Sequence, residues 1–374
     1  MDCVWAEEGK IRFLVPATDP HHPFPPGSAP VFYNPRMELS RDVTVLLSRV
    51  IGVSGYLDAM GATGVRGLRV SSECNIPVTI ADRDHRAVAL IRRNAGILGL
   101  PVEVLPSDAN LLLSGRTFET VDIDPFGSPA PFIDSAIRGC GKFLFVTATD
   151  TAPLCGAHRN AGRRRYFASA LNTEYHAETG LRILLGFVVR EAVKYDRGVE
   201  PLFCFSRDHY FRVHVRLVKG ARDADRSLER IGYILQCPAC IFRTETHGLL
   251  PPPAECPYCG KHLVPVGPLW TGTIQDPEIT RSLESTVLSS GFSLSATLQK
   301  LVSLCRQELD LSFHYDYHHL ARSFHTSPPP ITQVLESIRR EGYAASRAHY
   351  SGTALKTSAP LSILRAAFRE TSGK

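Results

Sequence analysis

Val121-Asp122-Ile123-Asp124-Pro125-Phe126-Gly127-Ser128-Pro129 reads as an apolar strand that runs into an abrupt turn. Pro125 removes a backbone donor and biases Asp124 toward extended backbone, Gly127 permits a tight bend, and Pro129 can begin a helix. A carboxylate and an aromatic ring are left at the carboxyl end of a strand, where open α/β sheets bind their ligands. Such a pair can accept hydrogen bonds from an exocyclic amine and stack on the flat base that carries it. An Asp-Pro turn alone is ordinary chain punctuation, so the weight falls on its neighbours.

Upstream, the same build recurs. Leu57-Asp58 ends a strand that enters the small-residue loop Ala59-Met60-Gly61-Ala62-Thr63-Gly64 and then a helix. That spacing is neither GxGxxG nor GxxxxGK[ST], which argues against a P-loop enzyme. Val78-Thr79-Ile80-Ala81-Asp82 ends a second strand in an acid, where nucleoside-binding α/β folds hold ribose hydroxyls, and Val102-Glu103-Val104-Leu105 before Ser107-Asp108-Ala109 repeats the pattern. Of the acids Asp58, Asp82, Asp108 and Asp124, three can surround an adenosine carrying a cationic sulfonium while the fourth faces an acceptor. Earlier still, Val31-Phe32-Tyr33-Asn34-Pro35-Arg36-Met37 precedes Ser40-Arg41-Asp42 and an apolar helical run. Either Ser40 or Asn34 caps that helix, or Phe32 and Arg41 line a pocket. Lys10 to Val15 alternates as a strand, and His21 to Pro30 is a Pro-rich loop.

The 374 residues, 44% of them hydrophobic, allow two or three domains with real cores. The net charge is +5, and from Ile331 onward seven Lys or Arg face three Glu, which marks the carboxyl-terminal part as a candidate nucleic-acid surface. The segment MDCVWAEEGK carries acids and a Lys where an export signal needs a long apolar core. Leu181 to Val189 is short and broken by Arg182 and Arg190, so no membrane span is expected. Ten cysteines, four of them in two CxxC pairs, suit a reduced cytoplasmic protein.

Cys237-Pro238-Ala239-Cys240 and Cys256-Pro257-Tyr258-Cys259 are separated by 15 residues. Two such knuckles can present four thiolates tetrahedrally to a structural Zn2+, with no coordination position left for chemistry. Before them, Lys142 to Thr149 reads as a fifth strand, Glu174 to Tyr195 as a long helix, and Leu202 to Phe205 with Tyr210 to Val218 as a hairpin. Cys155 is a conceivable nucleophile, but a lone cysteine is inert unless its pKa is lowered. Arg163-Arg164-Arg165 suits either phosphates or solvent. Lys219 to Arg230 is the expected boundary, giving a first domain over 1–222 and a second over 223–374, with the zinc element at about 233–265. Leu294 to Leu309, a helix started by Pro328-Pro329-Pro330, and a strand over Tyr343 to Tyr350 give that domain a winged-helix-like basic end.

The four strand-end acids resemble those of class I S-adenosylmethionine-dependent methyltransferases. The closer resemblance is to the tRNA guanine-26 N2-dimethyltransferase family, carried by Val31 to Met37, Leu57 to Ala59, Ala62 to Gly67, Asp122 to Pro129, Val146 to His158, Arg207 to Arg212 and Leu355 to Pro360. It implies a Rossmann-like seven-stranded α/β sheet with helices on both faces, followed by an α+β domain with a zinc-ribbon-like element. It also implies cofactor binding by Arg41, Arg66, Asp82, Asp108 and Ala109, beside the Asp58 and Gly61 of the glycine loop, with Asp124 catalytic and Phe32 and Phe126 flanking the base. The expected enzyme is a tRNA-binding monomer. Two other readings remain at this point: another RNA guanine or a DNA adenine amine as acceptor, and a noncatalytic zinc-ribbon RNA-binding protein.

Overall fold

A computed structural model describes residues 1–17 and 29–371. The Pro-rich loop expected over His21 to Pro30 thus lies, apart from its last two residues, outside the described residues. A hairpin opens the chain, β1 (Cys3–Glu8) pairing antiparallel with β2 (Ile11–Pro16). The sequence signals β2 by its alternation, but the polar segment CVWAEE hides β1.

The strands β3 (Tyr56–Asp58), β4 (Val78–Asp82), β5 (Glu103–Pro106), β6 (Phe118–Ile123) and β7 (Cys140–Ala148) alternate with helices and pair in parallel. Near-continuous apolar runs such as VTIAD and FLFVTA suit strands covered on both faces. With β8 (Arg197–Pro201), β9 (Phe205–Arg207) and β10 (Tyr210–Lys219), the sheet order is β5-β4-β3-β6-β7-β10-β8, and β9 pairs with β10. Seven strands on one path is the expected class I methyltransferase sheet. Its order reverses at β3, whose Asp58 lies opposite Ile80 of β4 on one side and Asp122 of β6 on the other. Ligands of open sheets bind at such a switch point.

Two local expectations change. Asn34 caps a 3-10 turn, Pro35–Met37, by accepting from the Arg36 amide at 3.0 Å, whereas Ser40 is buried inside the helix Glu38–Val50. The glycines of the loop serve packing: a Cβ on Gly61 would stand 2.3 Å from the Ile80 side chain, and one on Gly67 2.7 Å from it. Helix Val65–Cys74 therefore sits tightly on β4.

The chain divides into two compact units, Met1–Thr147 with His214–Leu217 and Pro277–Val302, and Ala148–Val213 with Val218–Asp276 and Ser303–Lys374. In the second, β11 (Ile231–Gln236) lies between β12 (Arg243–His247) and β13 (Val264–Trp270), both antiparallel to it. A further sheet has the order β14 (Tyr315–Asp316), β16 (Ala354–Thr357), β15 (Ala345–Arg347). Helices Tyr317–Phe324, Ile331–Arg340 and Leu361–Thr371 share its core, with Leu320, Val334, Ile338, Leu355, Leu364 and Phe368 buried together.

That second unit also holds a buried ionic cluster. Glu178, on the helix His176–Val193, accepts from Lys356 Nζ at 2.6 Å and Arg182 Nε at 3.0 Å, and its other oxygen meets His314 Nδ1 at 2.9 Å. Lys356 also lies 2.7 Å from Glu308, which pairs with His349 at 2.7 Å. Burial alone would raise the Glu178 pKa, but Lys356, His314 and Arg182 outweigh it and hold the carboxyl well below its usual range. Lys356, which counts toward the basic carboxyl-terminal part by sequence, therefore carries an internal charge.

Candidate active site and metal centre

Asp124 follows the last residue of β6 and is half-buried. Its carboxylate accepts a charge-assisted hydrogen bond from Arg66 Nη2. Arg66 comes from the first turn of helix Val65–Cys74, donates from Nη1 to Thr44 Oγ1 at 2.8 Å, and holds Nε 3.9 Å from Asp122. Burial works against the guanidinium charge, and Asp124 and Asp122 more than offset it. Asp122 is fully buried and accepts from the Tyr56 hydroxyl at 2.5 Å. Asp58 accepts from the Gly67 amide at 3.0 Å. Burial pushes the Asp58 carboxyl up to about 7, against the pull of Arg66 and with the repulsion of Asp122 and Asp124. Three carboxyl groups thus converge on one arginine.

Asp82 bridges the glycine loop to its own strand end, one oxygen accepting from the Ala62 amide at 2.9 Å and the other from the Asp84 amide at 2.8 Å. Ala62 takes a left-handed backbone, φ 48°, a cost tolerated where a loop is fixed for function. Each Asp82 oxygen keeps lone-pair capacity for a further donor. Asp108 caps the helix Ala109–Gly115, accepting on one oxygen from the Asn110 and Leu111 amides at 2.9 and 3.3 Å, with Ala109 buried beside it. Arg41 is paired bidentately with Glu8, at 2.6 Å for both contacts, and donates to the Asn34 carbonyl at 3.1 Å. Glu8 also accepts from Arg69 at 2.9 Å and from the Tyr33 hydroxyl at 3.3 Å.

Phe32 and Phe126 come together from segments almost a hundred residues apart, and Phe126 is 69% exposed despite being a large apolar side chain. The structure thus joins Arg66 and Asp124 by a hydrogen bond, sets Asp58 within their electrostatic reach, and brings the two aromatics together. Arg41 is anchored on the amino-terminal hairpin, and Asp82 and Asp108 stand at the ends of neighbouring parallel strands. Sequence reading missed Glu8, Thr44, Tyr56 and Asp122 as parts of this site. Tyr56 and Asp122 left a signal, being polar groups inside apolar strands, where burial demands a partner.

In the second unit, Cys237, Cys240, Cys256 and Cys259 bring their sulfurs within 4.8 Å of one another, with Cys237 to Cys259 and Cys240 to Cys256 both at 3.5 Å. Tetrahedral zinc with Zn–S of about 2.3 Å needs sulfurs about 3.8 Å apart, so the donor set fits. Cys155 is half-buried, and burial pushes its thiol up to about 12, which leaves no appreciable thiolate for nucleophilic work.

Known proteins resemble this chain over nearly its whole length. The family model for the N2,N2-dimethylguanosine tRNA methyltransferases matches residues 9–369. A tRNA (guanine(26)-N(2))-dimethyltransferase of Methanoculleus marisnigri is 59% identical over 97% of this chain and 98% of its own. One of Methanoregula boonei is 58% identical over 99% of both chains. Among solved structures, the complex of Trm1 from Pyrococcus horikoshii with S-adenosyl-L-methionine superposes with a TM-score of 0.89 at 34% identity, covering 97% of this chain and 99% of that one.

Proposed function

Since the chain belongs to the N2,N2-dimethylguanosine tRNA methyltransferase family, we propose that the turn after β6 is where its reaction takes place, with Asp124 as the catalytic residue. The chain is a tRNA methyltransferase that transfers methyl groups from S-adenosylmethionine to guanine N2. The observation that carries the assignment of the site is Asp124, fixed by Arg66 at a parallel strand's carboxyl end beside an exposed Phe126.

Guanine N2 is a poor nucleophile because its lone pair is delocalised into the ring. The Asp124 carboxylate and the Pro125 carbonyl accept hydrogen bonds from the amino group and aim its lone pair, and Asp124 takes up the proton released as the new N–C bond forms. Arg66 sets the direction of that carboxylate. Phe126 stacks on the base, and Phe32 supports Phe126. Asp82 and Asp108 take the ribose and adenine ends of the cofactor on their remaining lone pairs, beside Ala109, while Arg41, Arg66, Asp58 and Gly61 form the wall around its amino-acid end. When bound, the cofactor supplies a methyl group made electrophilic by its sulfonium. Aligning nitrogen and methyl carbon recovers on the order of 7 to 11 kcal/mol of the barrier. Once Asp124 has passed that proton to solvent and a fresh cofactor has replaced the spent one, rotation of the once-methylated amine would present its second hydrogen to Asp124 and permit a second transfer.

The four thiolates hold zinc as a structural ion in the second unit. We read residues 1–222 as the methyltransferase domain and 223–374 as the tRNA-binding domain, with the helices Tyr317–Phe324 and Ile331–Arg340 and the sheet β14-β16-β15 as a winged helix meeting the RNA. Among the described residues no helix is long and apolar enough to cross a membrane, and we place the enzyme in the cytoplasm as a monomer. Unmodified tRNA incubated with labelled cofactor and digested for nucleoside mass spectrometry should yield N2-methylated guanosine. The Asp124→Ala variant should lose turnover by at least about a hundredfold while cofactor affinity stays within about tenfold. Near-normal turnover by that variant would remove Asp124 from the mechanism.

A further inference from the structure

A cleft of about 440 Å³ opens in the second unit, a size ordinary for a pocket that takes one small planar ligand. Pro251, Pro265, Pro268 and Tyr233 line one part of it. Tyr233 is itself held by a hydrogen bond from its hydroxyl to the Leu249 carbonyl at 2.9 Å. Its rim is the helix Arg159–Tyr166, which places Arg159 and Arg163 one turn apart on the same face, with Phe167 directly after the last turn.

Three features of that rim call for a ligand. Phe167 stands 68% exposed, and it does so with a left-handed backbone, φ 48°, at the position after a helix where glycine or asparagine is the usual choice. A large ring held in such a conformation and facing water contributes nothing to the core. The guanidinium of Arg159 has no hydrogen bond or ion pair among the described residues, and Arg163 uses only Nε, on Ser169 Oγ at 2.9 Å. Finally, the rim is rigidly mounted: Tyr166 donates to Asp150 at 2.6 Å, Arg190 donates to the Tyr166 carbonyl at 2.6 Å, and Ser169 and Gly267 exchange backbone hydrogen bonds at 2.8 and 2.9 Å.

A lining of prolines and a tyrosine, an exposed phenylalanine ring and two guanidinium groups without acidic partners among the described residues suit a planar base joined to a phosphate. We propose that this cleft binds one unpaired nucleotide of the tRNA substrate, the base stacking on Phe167 beside the lining prolines and the backbone phosphate meeting Arg159 and Arg163. The proposal rests on the tRNA substrate of the preceding subsection, but not on the assignment of Asp124. Stacking on a ring tolerates any base, so the cleft contributes affinity and register and leaves the choice of target guanine to the turn after β6.

Affinity for unmodified tRNA, measured by fluorescence anisotropy over a series of salt concentrations, tests it alongside methylation by the wild-type enzyme. Phe167→Ala should weaken tRNA binding roughly tenfold or more with the salt dependence unchanged, and Phe167→Trp should restore it. Arg159→Gln should weaken binding and make the slope of log affinity against log salt shallower by about 0.7, the share of one single-strand phosphate. Both losses should appear in KM and not in kcat, with cofactor affinity and melting temperature as in the wild type. Wild-type affinity and slope in both variants would overturn the proposal and leave the cleft to a protein partner. A loss confined to Arg159→Gln would overturn it too, reducing the site to a bare phosphate contact. Failure of the wild-type enzyme to methylate tRNA would instead strike the functional reading.

Discussion

Phe32 and Phe126 meet edge to face, with ring centroids 4.1 Å apart and an interplanar angle of 85°. Rings in contact do not hold a base between them, so in the proposed site the base would stack on the outer face of Phe126, with Phe32 setting the tilt of that face. Phe126→Ala should lower kcat/KM for tRNA about 10- to 100-fold, the cost of losing one base stack, while the melting temperature holds because the ring is exposed. Phe126→Tyr should keep most of the activity. Steady-state kinetics on the three enzymes, with thermal melts as control, decide it; kcat/KM within about twofold of wild type for the alanine variant would count against stacking there.

Asp58 and Glu308 bend the pH dependence of stability in opposite directions. Burial raises Asp58 from 3.8 to about 7, so the folded protein binds a proton there that the unfolded chain releases. Stability is therefore lost as pH rises between those two values and is constant above them. For Glu308, burial alone would raise the pKa, but Lys356 and His349 outweigh it and bring it from 4.5 to about 2. Its contribution is complete above the unfolded value and disappears as pH falls through the folded one. Asp58→Asn, which keeps an acceptor for the Gly67 amide, should gain on the wild type as pH climbs from about 4 to about 7. Glu308→Gln should flatten the acid limb. Urea titrations at a series of pH values check both, and a pH-independent difference between Asp58→Asn and wild type would refute the first.

Four cysteine ligands predict one zinc per chain, released only by strong chelation or denaturation. Its removal should lower the melting temperature by several degrees and weaken tRNA binding, since metal affinity is coupled to folding of the knuckles. Affinity for S-adenosylmethionine should stay as it was, because a closed thiolate site takes no part in the chemistry. Metal analysis paired with melts before and after chelation provides the check. Unchanged melting after verified metal loss would rule out a stabilising role.

Much of this site is legible in the chain because parallel α/β folds put each strand's last residue on one edge. Asp58, Asp82, Asp108 and Asp124 are read from local patterning, and the topology alone gathers them. The cysteine knuckles are legible for the same local reason. What stayed hidden are charges whose partners are distant in sequence. Nothing in CVWAEE says that Glu8 is the shared acceptor of Arg41 and Arg69, which come from two different helices. Polar β1 looks like solvent-facing chain for that reason. Lys356 looks like part of a basic surface because its acids, Glu178 and Glu308, belong to other segments. Asp108 shows the limit from the other side, since the carboxylate proposed to meet the cofactor is also a helix cap, and the local pattern cannot separate the two duties.

The link between Glu178 and Lys356 spans 178 positions of chain. A ribosome adding roughly 5 to 20 residues per second leaves that carboxylate without its ammonium for about ten to thirty-five seconds. Until then its cationic partners are Arg182, one turn along the same helix, and later His314. The cluster is thus completed only with β16, whose Lys356 joins Glu178 to Glu308. A chain cut before that strand would lack the cation that joins Glu178 to Glu308 and should be the less stable for it.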